Sequence, residues 1–137
     1  MTYLLDTNIF IIMFEKSYHR LSTKQREILS EPTNVFYLSE ASLYEIGIKS
    51  RLQREDFAHI NLATIEQERR RLKIKLLNSK QVFCTNIPNV PQVLKKNGDK
   101  HGDPFDLLII SQALIENLSV ISTDEYFLSY RGLTTIA

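Results

Sequence analysis

Tyr3-Leu4-Leu5-Asp6-Thr7-Asn8 is the stretch of the chain that decides the fold. Three apolar residues are followed directly by an acid and two small polar residues, which is typical of a short buried strand that ends in a polar turn. Aspartate is common in turns because its side chain hydrogen-bonds to nearby backbone groups. Asp6 on its own is therefore equally consistent with a turn residue and with a residue that binds or reacts.

The same strand pattern returns further along the chain. Val35–Leu38 and Ser119–Ser122 are short and rich in strand-forming residues, and Leu133–Ile136 is a candidate for a last strand. Apolar spacing and end signals predict helices between them, namely Ile9–Phe14, Ser22–Ser30, Ser39–Leu52, Ala63–Leu72 and Phe105–Asn117.

Three segments carry weaker signals. Lys73–Leu77 is either a strand or the continuation of the preceding helix. Val82–Leu94 is interrupted by two prolines, and Lys95–Gly102 is a polar loop with two glycines. None of the three changes the overall alternation of strand and helix.

Strands that alternate with helices predict a mainly parallel sheet with helices on both faces, that is, a three-layer α/β/α sandwich. The strands show little polar alternation, as expected when both faces of a sheet are covered. A length of 137 residues corresponds to a single domain, residues 1–137.

Composition excludes several classes of protein. The 17 basic and 16 acidic residues give a net charge of +1, so total charge does not indicate nucleic-acid binding. Cys84 is the only cysteine, which excludes an internal disulfide and a cysteine-based zinc site, and we expect it in the core of a cytoplasmic protein. No apolar run approaches the ~20 residues that span a bilayer, and no signal peptide is expected at the N-terminus.

Acidic residues recur where a parallel sheet would gather them. Asp6 and Asp124 each follow a predicted strand, and Glu45 lies in the second turn of the helix after Val35–Leu38. Asp103 and Asp106 lie at the start of the helix that opens near Pro104. Because the carboxyl ends of parallel strands meet at one edge of the sheet, we expect these acids to lie close together.

Each acid also has a purely structural explanation. Asp103 is a good N-cap, Asp106 suits the first helical turn, and Asp124 could cap Glu125–Ser129. Glu45 would usually be solvated, although its neighbours on the helix are apolar. Five independent coincidences at one sheet edge are harder to accept than one site, so the joint pattern favours function.

A cluster of carboxylates is self-repelling unless a cation neutralises it. Oxygen ligands and few histidines indicate Mg²⁺ or Mn²⁺ rather than zinc. An ion of this kind supports phosphodiester hydrolysis by activating water and stabilising phosphate charge. The chain has no phosphate-binding glycine loop and no dinucleotide motif that would point elsewhere.

Other charged residues receive more ordinary interpretations. His101 is predicted to be a loop residue rather than a ligand. Lys49, one turn after Glu45, is either its counter-ion or a phosphate contact. The basic group Arg69-Arg70-Arg71, Lys73 and Lys75 is either a solvated face, which we favour, or a surface for RNA or a partner.

Four stretches together resemble the successive motifs of the PIN-domain family, and most closely those of VapC-type toxins of toxin–antitoxin pairs. They are Leu4-Leu5-Asp6-Thr7-Asn8, Ser39-Glu40-Ala41-Ser42-Leu43-Tyr44-Glu45-Ile46-Gly47-Ile48-Lys49, His101-Gly102-Asp103-Pro104-Phe105-Asp106 and Ser122-Thr123-Asp124. The resemblance runs from residue 3 to about residue 130, with the motifs in the expected order.

The resemblance implies a Mg²⁺- or Mn²⁺-dependent endoribonuclease with a parallel sheet between helical layers. It implies an RNA substrate (tRNA, rRNA or mRNA), an inhibitory antitoxin protein and a homodimer. By position, Asp6, Glu45, Asp106 and Asp124 match the acidic quartet of the family, with Asp6, Asp106 and Asp124 as metal ligands. Glu45 would ligate directly or orient the attacking water, and Asp103 is an extra acid of this subgroup.

Supporting residues and departures complete the comparison. Asn8 or Thr123 is expected to support a carboxylate by hydrogen bonding. Leu107 stands where related sequences usually carry arginine, and Leu76–Leu94 matches poorly. The alternative function is a PIN-like RNA- or protein-binding module without catalysis, whose mark would be a missing carboxylate. A phosphatase with an Asp nucleophile would need an acid at position 8.

Overall fold

The computed structural model describes all residues from 1 to 137. Its centre is a five-stranded sheet in which every neighbouring pair of strands is parallel. In spatial order the strands are β3 (Lys75–Leu77), β2 (Val35–Ser39), β1 (Thr2–Leu5), β6 (Ser119–Ile121) and β7 (Thr135–Ile136). A separate antiparallel hairpin consists of β4 (Val93–Leu94) and β5 (Lys100–His101).

Six α-helices connect and cover the strands. They are α1 (Thr7–Glu15), α2 (Thr23–Ser30), α3 (Glu40–Arg51), α4 (Ile65–Arg71), α5 (Gln81–Thr85) and α6 (Pro104–Glu116). Helix boundaries follow local signals, since Ser22 and Ser39 cap α2 and α3 through their hydroxyls and Pro104 occupies the first turn of α6.

The sheet separates two apolar cores, as the predicted three-layer sandwich requires. Along β1, Tyr3 and Leu5 face a core that contains α1, α2 and α4, whereas Leu4 faces a second core with α6. This alternation follows from the two-residue period of a strand whose faces are both buried. The predicted fold class is therefore confirmed.

The order of the strands creates a switch point beside β1. The chain moves from β1 to β2 and β3 on one side, and then returns to place β6 and β7 on the other side. The connections on the two sides diverge, so a crevice opens beyond the carboxyl ends of β1 and β6. Open parallel sheets bind their ligands at such a point.

The structure resolves the ambiguous segment after α4 as a strand. Lys73 adopts the left-handed conformation, with φ of 58°, which ends the helix. Lys75–Leu77 then pairs in parallel with β2. Lys95–Gly102, predicted as a loop, instead contains β5, because Val93–Leu94 pairs with Lys100–His101 across a tight turn.

Two predictions about single residues are wrong. Cys84 is exposed, because its neighbour Phe83 takes the inward position of the short helix α5. Arg69 is buried rather than solvated. Its guanidinium donates to the carbonyl of Ile74 at 2.6 Å and to both carboxylate oxygens of Glu66, which secures the turn from α4 into β3. No helix of the structure is both long enough and apolar enough to cross a membrane.

Candidate active site

Asp6 is both the end of β1 and the N-cap of α1. Its Oδ1 accepts from the backbone N–H of Thr7 at 2.8 Å, and its Oδ2 accepts from the hydroxyl of Ser122 at 2.7 Å. Its own backbone N–H donates to the carbonyl of Ile121, so β6 fixes its main chain as well. Asp6 is thus a turn residue and a site residue at the same time.

Ser122 connects two of the predicted acids, and sequence reasoning missed it. While its hydroxyl donates to Asp6, its oxygen accepts from the backbone N–H of Asp124 at 3.0 Å. Ser122 is fully buried between the two strand ends. Its place directly after β6 is the signal that could have identified it.

Asp124 caps the short 3-10 turn Glu125–Ser129, as predicted, and also faces the site. Its Oδ1 accepts from the N–H of Tyr126 at 2.9 Å, and its Oδ2 lies 3.0 Å from Nε2 of His101. The cap and the functional role use the same side chain, so the two interpretations do not exclude each other.

Glu45 is buried at the site, with 6% of its surface exposed. Its Oε2 lies 2.5 Å from the Nζ of Lys49 one helical turn later, whereas Oε1 is buried without any hydrogen-bond partner. Burial alone would lower the pKa of Lys49, but the contact with Glu45 and the nearby Asp103 and Asp106 raise this pKa above its usual value. Lys49 is therefore the counter-ion of Glu45.

The two acids of α6 differ in their surroundings. Asp103 caps the helix, since its Oδ1 accepts from the N–H groups of Phe105 and Asp106 at 2.9 and 3.2 Å. The carboxylate of Asp106 has no hydrogen-bond partner, and Nε2 of His101 lies 3.8 Å from its Oδ2. Asp106 points into the site, whereas Asp103 satisfies the helix end.

The four acids of the predicted quartet line one cleft of about 250 Å³ at the switch point. Asp103 does not line it. The lining consists of Asp6, Thr7, Asn8, Glu45, Lys49, Asp56, Phe57, Asp106, Thr123 and Asp124. Asp56 and Phe57 come from the irregular segment after α3, and no sequence pattern singled them out.

Crowding perturbs the ionisation of two acids. Burial, opposed by the hydrogen bonds from Ser122 and Thr7 and reinforced by Glu45 and Asp124, raises the pKa of Asp6 to about 6. Burial and repulsion from Asp6, Asp103, Glu45 and Asp124 raise the pKa of Asp106 to about 8. The cleft therefore favours any species that brings positive charge.

A divalent cation fits the residues present. All donors of the quartet are hard carboxylate oxygens, which suit Mg²⁺ or Mn²⁺. The buried Oε1 of Glu45 has no partner, although buried polar atoms are almost always satisfied. A cation would satisfy this atom and relieve the repulsion around Asp106.

The expected supporting residues behave differently. The amide of Asn8 donates to the hydroxyl of Thr123 at 3.0 Å, and neither side chain hydrogen-bonds to a carboxylate. Asn8 and Thr123 instead tie α1 to the segment after β6, and Ser122 supports the carboxylate. The expectation for this pair is therefore wrong, because the hydroxyl of Ser122, one position before Thr123, faces Asp6, whereas the hydroxyl of Thr123 faces Asn8.

His101 is not a loop residue, contrary to the prediction. It lies in β5, is 94% buried and packs against the rings of Tyr126, Phe127 and Tyr130. Its Nε2 and carboxylate oxygens of Asp106 and Asp124 lie within 4.8 Å of one another. Leu107, at the position where the resemblance expects arginine, packs at the edge of the second core.

Comparison with known proteins agrees with this architecture. The family model described as PIN domain matches residues 3–133. A search of curated proteins finds no match.

Three solved structures share the fold. One is the VapBC2 complex from Rickettsia felis bound to a DNA fragment from its promoter, with 17% identity, a TM-score of 0.69 and coverage of 99% of this chain and 98% of the other. Another is VapBC-1 from nontypeable Haemophilus influenzae, with 23% identity, a TM-score of 0.62 and coverage of 99% and 97%. The third is a toxin–antitoxin complex from Klebsiella pneumoniae, with 17% identity, a TM-score of 0.56 and coverage of 98% and 96%.

At these identities the structural likeness establishes the fold, and the family assignment rests on the family model. Because that model spans all but the first two and last four residues, this chain belongs to the PIN-domain family.

Proposed function

We propose that the protein is a metal-dependent endoribonuclease that hydrolyses RNA phosphodiester bonds. Asp6, Glu45, Asp106 and Asp124 are its catalytic and metal-holding residues. The observation that carries this proposal is the convergence of the four carboxylates in one cleft. They come from the ends of β1 and β6, the middle of α3 and the start of α6, and they meet at the switch point of the sheet.

Each acid has a distinct task in this proposal. Both carboxylate oxygens of Asp6 and of Asp124 are held by hydrogen-bond partners, so each acid offers the cation a ligand in a fixed position. Asp106 provides a third ligand. The Mg²⁺ or Mn²⁺ bound by these acids would polarise a water molecule and offset the charge on the phosphate. Glu45, anchored through Oε2 by Lys49, keeps Oε1 free to ligate or to accept a proton from the attacking water.

The test is cleavage of a pool of cellular RNAs in the presence of Mn²⁺. We expect cutting by the wild type that is lost in Asp6→Asn, which keeps the size of the side chain and can still cap α1. Asp56→Asn, at the exposed rim of the same cleft, is the matched control and should retain most activity. Equal cutting by wild type and Asp6→Asn would show that the nuclease activity does not belong to this site.

A protein partner is also part of the proposal. The structures with the same fold are described as VapBC or toxin–antitoxin complexes, which supports the role of a toxin held by a cognate antitoxin. We place the protein in the cytoplasm as a homodimer of single domains, each spanning residues 1–137. A surface for contact with the second protomer or the antitoxin is offered by three exposed apolar side chains on and after α3, namely Tyr44, Ile48 and Leu52. Light scattering of the purified protein measures the homodimer directly, and a monomer would contradict it.

A further inference from the structure

Asp124 is fixed by two partners, and the role of the second is open. The N–H of Tyr126 holds Oδ1, and Nε2 of His101 lies 3.0 Å from Oδ2. His101 also lies 3.8 Å from Asp106, so its ring touches two acids of the cleft. Geometry alone would allow His101 to be a further metal ligand or a residue that orients Asp124.

The ring of His101 has no freedom to turn away. It is enclosed by three aromatic rings, whose centroids lie 5.3 Å (Tyr126), 6.1 Å (Phe127) and 5.6 Å (Tyr130) from its own. Its second nitrogen, Nδ1, lies 2.7 Å from the hydroxyl of Tyr130. Both ring nitrogens therefore have one fixed neighbour each, and Nε2 faces carboxylates.

The contact with Asp124 determines where the proton lies. Two bare lone pairs 3.0 Å apart would repel, so a hydrogen on Nε2 is the arrangement that fits an ionised Asp124. This holds for the neutral ring with its proton on Nε2 and for the imidazolium. On the far side of the ring the Tyr130 hydroxyl lies 2.7 Å from Nδ1 and donates to the carbonyl of His101 at 3.2 Å, so it holds the ring in place.

We propose that His101 is a positioning residue, which donates from Nε2 to Asp124 and holds that carboxylate in place, and is not itself a metal ligand. A nitrogen that carries a hydrogen has no lone pair for a metal. The proposal deepens the proposed function and rests on it, because the carboxylate that His101 orients is one of the proposed ligands. Tyr130 anchors the ring from the far side, at Nδ1 and at the backbone carbonyl of His101.

The first experiment needs no metal. Nitrogen-15 NMR of the imidazoles in the metal-free protein, with His101 assigned through His101→Gln, reports which ring nitrogen is protonated. We expect a hydrogen on Nε2. A neutral ring protonated only on Nδ1 would overturn the proposal, whatever the protein does to RNA.

The second experiment uses Mn²⁺ as the probe. Electron spin-echo spectroscopy of the Mn²⁺-loaded wild type should lack the coupling of a directly bound imidazole nitrogen, and the appearance of that coupling would refute the proposal. Because this measurement uses unaltered protein, it remains decisive if a variant fails to fold.

Variants measure the consequence of positioning. His101→Phe fills the aromatic enclosure but removes the donor, and we expect about ten-fold weaker Mn²⁺ binding or more, measured by the free-ion EPR signal. His101→Gln keeps an N–H that reaches Asp124 and should bind Mn²⁺ nearly as well as the wild type. Equal Mn²⁺ affinity of His101→Phe and the wild type, with both folded, would mean that His101 only fills space. A wild type that binds no Mn²⁺ would instead contradict the proposed function, and the NMR result would still stand.

Discussion

At the scale of the residue, the most strongly perturbed group is Asp106. Its pKa of about 8 means that the folded protein without metal holds a proton on this side chain at neutral pH. The unfolded chain releases that proton near pH 4. Folding thus stabilises the protonated form of the Asp106 side chain, and binding of a cation would displace its proton.

This perturbation predicts how stability depends on pH. Between pH 4 and pH 8 the folded state binds more protons than the unfolded state, so the free energy of unfolding should fall as pH rises through this range. Asp6, with a pKa of about 6, acts in the same direction up to that pH. Asp106→Asn should remove most of this fall in the free energy of unfolding. Allowing for relaxation of the site, we expect it to stabilise the metal-free protein at pH 8 by about 2 kcal/mol.

Urea unfolding in EDTA at pH 5, 6, 7 and 8 measures this effect. The exposed Asp56 lies at the rim of the same cleft, so Asp56→Asn should follow the wild type across the whole range. Parallel curves for wild type and Asp106→Asn would mean that Asp106 is ionised in the folded protein at neutral pH.

At the scale of the element, the start of α6 separates a capping acid from a cleft acid. Asp103 is bonded to two N–H groups of its own helix and does not line the cleft, whereas Asp106 does. Two acids three positions apart in one motif thus have different roles, and the motif alone does not show which acid caps the helix and which faces the cleft.

Substitutions of Asp103 test this division. Asp103→Ala should cost about 1 kcal/mol of stability because two N–H groups lose their partner. Asp103→Ser restores a capping oxygen, so it should recover most of that stability and, if Asp103 has no part in catalysis, keep nuclease activity near the wild-type level. Thermal melting and the RNA assay are the two measurements. A stable Asp103→Ser variant without activity would assign Asp103 to the metal or the substrate.

The elements also explain what the sequence could and could not predict. Strands β1, β2 and β6 and helices α2, α3 and α6 have clear apolar patterns and caps, and they were predicted within a residue or two. The hairpin β4–β5 escaped prediction because strands of two residues have no periodicity. His101 was misjudged for the same reason, since its burial depends on a pairing that only the folded chain reveals.

The site was predictable to the extent that topology dictates it. Asp6, Glu45, Asp106 and Asp124 are placed by strand ends and helix starts, so element order alone brings them together. The contributions of Ser122 and His101 depend on side-chain direction and on the pairing of a two-residue strand. The expectation for Asn8 and Thr123 was wrong because adjacency in sequence does not determine which side chain faces a carboxylate.

At the scale of the whole molecule, the proposed metal site would couple metal binding to folding. The four acids are close only in the folded chain, so a cation that binds there stabilises the folded state by mass action. We expect millimolar Mn²⁺ to raise the melting temperature of the wild type at pH 7. A Mn²⁺ concentration 100 times the dissociation constant would contribute about 2.7 kcal/mol.

Asp6→Asn should reduce this shift, and Asp56→Asn should leave it unchanged. Thermal melting with and without Mn²⁺ measures both, with Mg²⁺ as a second cation. An unchanged melting temperature for the wild type would favour a binding module that has kept the fold without the metal.

The hydrogen bond from Ser122 to Asp6 has a consequence for timing. It joins residues 116 positions apart in the chain, so it belongs to the longest loop that folding must close. A ribosome that has made β1, β2 and α3 has produced Asp6 and Glu45, but neither α6 nor β6 yet exists. The growing chain therefore carries an incomplete set of carboxylates beside the RNA of the ribosome that makes it. A complete cleft arises only after Asp124 has been synthesised and β6 has docked next to β1.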